Sequence, residues 1–140
     1  MTNGSPRVEI PDCGFNIVSE ALEGKTRFSI HQESTFVHQS FLYNHKRILK
    51  LLDKKGPIIG DCVTNPDFRG KSIYPFVINS IARKKLDSGV PEVFIIVNPD
   101  NASSIRGIEK AGFQLYAEIK ASRFLLFYLN VNIKTNLASN

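Results

Sequence analysis

The stretch Ile58-Ile59-Gly60-Asp61-Cys62-Val63-Thr64-Asn65-Pro66-Asp67-Phe68-Arg69-Gly70-Lys71-Ser72-Ile73 decides how this chain folds. Ile58 to Thr64 is largely apolar and β-branched, which suits a strand. Asn65 to Lys71 holds turn residues. From Ile73 onward the period changes. Ile73, Phe76, Val77, Ser80, Ile81 and Lys84 fall at i, i+3, i+4, i+7, i+8 and i+11, one face of a helix. Pro75 fits if that helix starts near Gly70 to Ser72, because a first-turn N–H has no partner inside the helix. Gly89 is a good terminator. A strand thus runs through Arg69-Gly70-Lys71-Ser72 into a helix. Free N–H groups and the positive end of a helix dipole would there face an anion. Gly70 would let an anion approach the backbone, and Arg69 and Lys71 add charge.

Downstream, Glu92 to Asn98 reads as a buried strand. Asn101 to Ser104 opens a short helix with cap-forming residues, and Gly112 ends it. Phe113 to Ile119 and Arg123 to Val131 read as strands joined near Lys120-Ala121-Ser122. The tail from Lys134 to Asn140 reads as frayed. Upstream, Phe15 to Leu22, Thr26 to His31 and Thr35 to Tyr43 read as strands whose connections are too short for crossover helices, so they pair antiparallel. Arg47 to Leu52 is ambiguous between helix and strand. The order is a β-meander followed by β–α–β–α–β–β, an α+β fold with one parallel crossover.

At 140 residues, 42% hydrophobic and 22% charged, the chain reads as a single domain, 1–140, with a packed core. No apolar run approaches a membrane span, and Met1 to Pro6 shows no apolar signal segment. Cys13 and Cys62 lack CxxC spacing, so a reducing cytoplasm is expected. The net charge of +5 suits an anionic partner or plain solubility.

Gly70-Lys71-Ser72 also ends the GxxxxGK[ST] pattern of nucleotide-triphosphate loops. The glycine that this pattern requires is Asn65, Pro66 removes a donor, and the next strand ends in Asn98 instead of an aspartate for magnesium. That reading is set aside. Pro66 to Tyr74 instead resembles the acyl-CoA pyrophosphate loop of the GNAT N-acetyltransferases, [QR]-x-x-G-x-[GA]. Asn101 to Phe113 resembles the same family's N-x-x-[AS]-x-x-x-Y-x-x-x-G-F helix, at the right distance and with the right elements between. The departures are Asp67 at the loop's first position, Ser72 at its second glycine, and Ile108 at the tyrosine that often serves as general acid. The family's strand and two helices before the meander have almost no counterpart before Phe15.

The resemblance implies a GNAT-like, mostly antiparallel sheet with flanking helices and a shortened N-terminal part. It implies acetyl transfer from acetyl-CoA to a small-molecule or peptide amine. Arg69, Gly70, Lys71, Ser72 and Ile73 would hold the pyrophosphate. Cys62, Val63 and Thr64 would offer backbone N–H to the thioester carbonyl, and Asn101 and Ser104 would contact the pantetheine arm, with Ser103 and Lys110 nearby. Asp61 is the best-placed base, with His38 and Glu118 as alternatives. A short acceptor side is either complete as it stands or finished by a second copy, a homodimer.

Other readings stay open. One is an inactive fold that still binds CoA. Another is a nucleic-acid module built on Lys46, Arg47, Lys50, Lys54 and Lys55 beside Phe41 and Tyr43, although a solvated hairpin explains that cluster better. His31, His38 and His45 are spaced by seven, which alternates faces on strands, so no metal site is expected. Cys62 has no histidine arranged to activate it and reads as a small buried residue.

Overall fold

The computed structural model describes residues 10, 12–44, 46–120 and 123–130. The expectations for Met1 to Pro6, His45, Ala121, Ser122, Val131 and the tail from Lys134 fall outside these residues. Strands β1 (Val18–Leu22), β2 (Lys25–Gln32) and β3 (Thr35–Tyr43) form the meander. Helix α1 (Arg47–Leu51) leads to β4 (Ile58–Thr64), and a short 3-10 turn, Pro66–Phe68, leads to helix α2 (Ile73–Asp87). Strand β5 (Glu92–Val97), helix α3 (Ala102–Lys110) and the hairpin β6 (Gln114–Ile119) and β7 (Phe124–Asn130) complete the order.

All seven strands share one sheet, ordered β1-β2-β3-β4-β5-β7-β6. Every neighbouring pair is antiparallel except β4 with β5. That parallel pair is short: Ile58 meets Phe94, Ile59 meets Ile95, and beyond them the two strands part. Helix α2 is the crossover between them. Neighbouring residues of β4 and β5 point to opposite faces. Ile59 and Ile95 pack with Val77, Ile78, Ile81 and Ala82 of α2. Ile58 and Phe94 pack with Leu49 of α1 on the other face.

Helix α2 is rich in β-branched residues, which cost up to about 0.7 kcal/mol each in helix propensity. Burying each such side chain contributes about 1.5–3 kcal/mol, so packing wins. The buried face differs from the sequence expectation. Ile73, Val77 and Ile81 are shared, but Ile78, Asn79, Ala82 and Leu86 are buried while Lys84 is exposed. The helix is covered from two sides, by the sheet and by α3, and a one-face pattern misses the second cover. Arg47 to Leu51 resolves as helix because Leu49 plugs the second core cluster. Phe15 lies outside β1 and packs edge-on against Phe68, ring centroids 6.0 Å apart. Among the described residues no helix is long and apolar enough to cross a membrane.

The two later helices are tied by Asn79, whose buried Nδ2 donates to the Ala111 carbonyl at 2.9 Å. Asn79→Ala removes that donor and opens a small void. It is expected to cost about 1–3 kcal/mol in urea unfolding. An unchanged midpoint would show that the tie contributes nothing.

Candidate functional site

Where β4 leaves β5, it also breaks register with β3. Gln39 pairs with Val63 and Phe41 with Gly60, so Ser40 alone faces both Asp61 and Cys62. This is a β-bulge, and Asp61 takes a left-handed φ of +54° that aspartate tolerates better than most residues. The bulge sends the two side chains to opposite faces. Cys62 joins the α2 side, with Ser40 and His38. Asp61 lies on the other face, where its carboxylate accepts a bond from the Tyr43 hydroxyl.

The loop after β4 is held by Asn65. Its Nδ2 donates to the Phe36 carbonyl at 2.7 Å and its Oδ1 accepts from the Asp67 N–H at 3.0 Å. Gly70 at φ +80° and Ser72 at φ +61° turn the chain into α2. Ser72 is the N-cap of α2, yet its side chain makes no capping bond. The first N–H groups of the helix therefore face outward without a side-chain partner. Opposite stands α3, capped by Asn101, whose Oδ1 accepts from the Ser104 N–H at 3.2 Å. Lys110 Nζ donates to Ser72 Oγ at 2.6 Å and links the two walls.

Between these walls lies a cleft of about 580 Å³. Of the sequence-predicted residues, Cys62, Val63, Thr64, Arg69, Gly70, Ser72, Ile73, Asn101 and Ser104 line it, as do Ser103 and Lys110. Lys71 does not; its side chain is exposed outside the lining. Asp61, His38 and Glu118 are also outside the lining. Glu118 is exposed on the edge strand β6. No carboxylate lines the cleft, and among the described residues Arg69, Arg106 and Lys110 pair with none. An uncapped helix start beside three unpaired cations is built for an anion.

Sequence reasoning missed Phe68, Tyr74, Pro75, Arg106 and Gly107 in the lining. Tyr74 is the most informative. A Cβ on Gly107 would stand 2.6 Å from the Tyr74 ring, so α3 approaches α2 only because position 107 is glycine. The Tyr74 hydroxyl bonds with Ser104 and Cys62, and burial raises its pKa well above the usual phenol value. Burial also pushes the Cys62 thiol up to about 12, so it stays protonated and is no nucleophile. Ile108 is fully buried in the core and presents nothing to the cleft.

Beneath the cleft, His38 is fully buried, with Nδ1 2.7 Å from Thr64 Oγ1 and Nε2 2.7 Å from Ser40 Oγ. Burial lowers its pKa to about 4, so it is neutral at pH 7 and both ring nitrogens are engaged. His31 is exposed against Phe36. Among the described residues no group of three or more His, Cys, Asp or Glu could hold a metal ion. The basic cluster is a helix and its exit, not a hairpin. Lys46 lies over the Tyr43 ring, and Lys54 pairs with Glu92 at 3.6 Å.

Solved structures share this architecture. Campylobacter jejuni N-acetyltransferase PseH in complex with acetyl coenzyme A matches with TM-score 0.57 at 18% identity, over 76% of this chain and 68% of that one. Vibrio cholerae spermidine N-acetyltransferase in complex with CoA and spermine matches with TM-score 0.59 at 13% identity, over 81% and 69%. A Klebsiella pneumoniae protein assigned to the acyl-CoA N-acyltransferases matches with TM-score 0.66 at 8% identity, over 86% and 99%. No protein-family model and no curated protein matches the chain. The chain has the fold of the GNAT acetyltransferases.

His38 makes stability depend on pH. Its folded pKa of about 4 lies below the ordinary 6.5, so the unfolded chain binds the proton more readily. This contribution is whole at neutral pH and is lost as pH falls between those values. The gap amounts to about 3 kcal/mol. Urea unfolding of wild type is expected to weaken steeply between about pH 6.5 and 5, above the main carboxylate range, and His38→Gln to lack that slope. Equal slopes would mean that His38 titrates normally.

Proposed function

We propose that this chain moves an acetyl group from acetyl-CoA to an amine. The observation that carries the reading is the cleft itself: an uncapped α2 start, a glycine loop and three unpaired cations, opening onto a strand pair that has come apart. Gly70 to Tyr74 would offer backbone N–H groups to the pyrophosphate, and Arg69, Arg106 and Lys110 would neutralise it. The parted edge of β4 from Cys62 to Thr64 is free of β5. It supplies N–H groups where a thioester carbonyl gains negative charge. Asn101 and Ser104 flank the same passage from α3. The two free cysteines support a reducing, cytoplasmic setting.

The chemistry is direct. The amine nitrogen bonds to the acetyl carbon, the carbon–sulfur bond breaks, and the sulfur takes a proton while the nitrogen loses one. Asp61 receives the acceptor's proton from the face opposite the cleft. Tyr74 is the one phenol in the described lining, and burial raises its pKa and keeps it protonated, so its hydroxyl can hydrogen-bond the departing sulfur. The proton that the thiolate takes comes from water or from the incoming amine, because a phenol held so far above the thiol range is the weaker acid.

Acetyl-CoA at about 100 times its Kd is expected to stabilise the fold by about 2.7 kcal/mol, and ATP far less. Gly70→Val should abolish that shift. Its Cβ would meet nothing within 4 Å, so the unliganded fold survives, weakened only by a branched residue at φ +80°. A larger effect of ATP, or undiminished affinity in Gly70→Val, would refute this use of the loop.

Asp61→Asn keeps the shape of the side chain and removes its charge. It is expected to lower kcat/KM by about 10²–10⁴ at neutral pH. The deficit should shrink at high pH, where the acceptor arrives neutral. A deficit constant across pH would assign Asp61 to positioning. Saturable acetyl-CoA binding with no turnover on any amine would mark an inactive fold.

A further inference from the structure

The face opposite α2 carries a second arrangement. It rests on the acetyl-transfer reading, since it lies at the same parting of β4 and β5. The Tyr43 ring crosses from β3 onto β4 over Gly60, where a Cβ would lie 3.5 Å from its Cε2 and 3.6 Å from Ile96 Cγ2. Its hydroxyl thereby meets Asp61 at the bulge. Burial and the neighbouring Asp61 raise the Tyr43 pKa to about 12, so the phenol remains a donor and Asp61 the acceptor.

Two ammonium groups converge on the same aromatic pair. Lys46 Nζ is 4.2 Å from the Tyr43 ring centroid. Lys25 Nζ is 4.6 Å from that of Phe41 and 5.5 Å from that of Tyr43. Among the described residues neither lysine pairs with a carboxylate, whereas nearby Arg27 is bound to Glu20 and Lys54 to Glu92. A ring face holds an ammonium loosely and leaves its N–H donors free. The patch therefore has two polar ends separated by one phenol ring: a carboxylate at the strand parting and an unpaired pair of cations behind it. Asp61 is the immediate chain neighbour of Cys62, which lines the cleft on the far side of β4.

We propose that the acceptor is an amine that also bears an anionic group, carboxylate or phosphate, with its ammonium at Asp61 and its anion at Lys25 and Lys46. A diamine would meet two like charges at the second end and be rejected.

The test compares γ-aminobutyrate, γ-aminobutyramide, putrescine and aminopropyl phosphate as acceptors with the full chain and saturating acetyl-CoA. The expected kcat/KM favours the two anionic amines over the amide by about tenfold, and the amide over putrescine. The better of the two anions identifies carboxylate or phosphate as the preferred group. KM for the anionic probes should rise with salt. In the double variant Lys25→Gln, Lys46→Gln the preference should collapse, and in Lys25→Arg, Lys46→Arg it should persist. Both variants keep long side chains at these half-buried positions, and melting temperature reports their folding. A preference for putrescine or the amide, or an anion preference that survives the glutamine variant, overturns the proposal. So does acetyl-CoA binding with none of the four probes acetylated, an outcome that leaves the cofactor site standing. Failure to bind acetyl-CoA removes both.

Discussion

Strands β4 and β5 hold together through two residue pairs and then separate, and the rest of the site depends on that parting. A parallel pair is evenly bonded only while both strands run straight. Here the antiparallel partner of β4 intervenes. The extra residue at Asp61–Cys62 bends β4 away from β5 while β3 continues beside it. The parted edge leaves main-chain groups of Cys62 to Thr64 without a strand partner. Two faces open from one break: the α2 side toward the cationic cleft, and the opposite side toward Asp61 and Tyr43.

The cleft is kept open by a close approach behind it. Helices α2 and α3 meet at Gly107 against the Tyr74 ring and at Asn79 against the Ala111 carbonyl. The first contact is possible because one residue has no side chain. The second satisfies a buried acceptor that would otherwise cost the fold. Together they set the width between the loop at Gly70 and the cap at Asn101. A polar chain runs from Thr64 in the lining down to buried His38 and Ser40 and back up to Cys62, Tyr74 and Ser104. Every group in it is held neutral.

Among the described residues Arg69, Arg106 and Lys110 at the cleft have no carboxylate partner, and neither do Lys25 and Lys46 over the aromatic pair on the other face. Elsewhere on the surface, Arg27, Lys54 and Arg123 are paired. Exposed ion pairs contribute little to stability. Among the described residues other exposed lysines, such as Lys50, Lys55 and Lys71, have no carboxylate partner either, so it is convergence on one place that points these cations to a ligand.

Much of this was legible in the chain itself because the signals are local. The turn chemistry from Asn65 to Ser72, the apolar period after Ile73 and the cap at Asn101 depend on neighbours within a few residues, so strand, loop and helix could be placed in order, and with them nine residues of the cleft. Arg47 to Leu51 was undecided, since a single turn of helix is settled by what Leu49 packs against. Other features needed the tertiary structure. Asp61 sits in a bulge only because Ser40, on another strand, faces two residues at once. Its carboxylate therefore points away from the cleft its neighbours line. Tyr74 and Gly107 belong to one contact, yet each alone reads as an ordinary helix residue. Lys25 and Lys46 share an aromatic ring because the sheet brings their segments together. Sequence alone determined the elements and the glycine loop before α2, whose physics is that of adjacent residues. Which side chains face which side of the parted strands was decided by packing between distant segments, and no local pattern carries that.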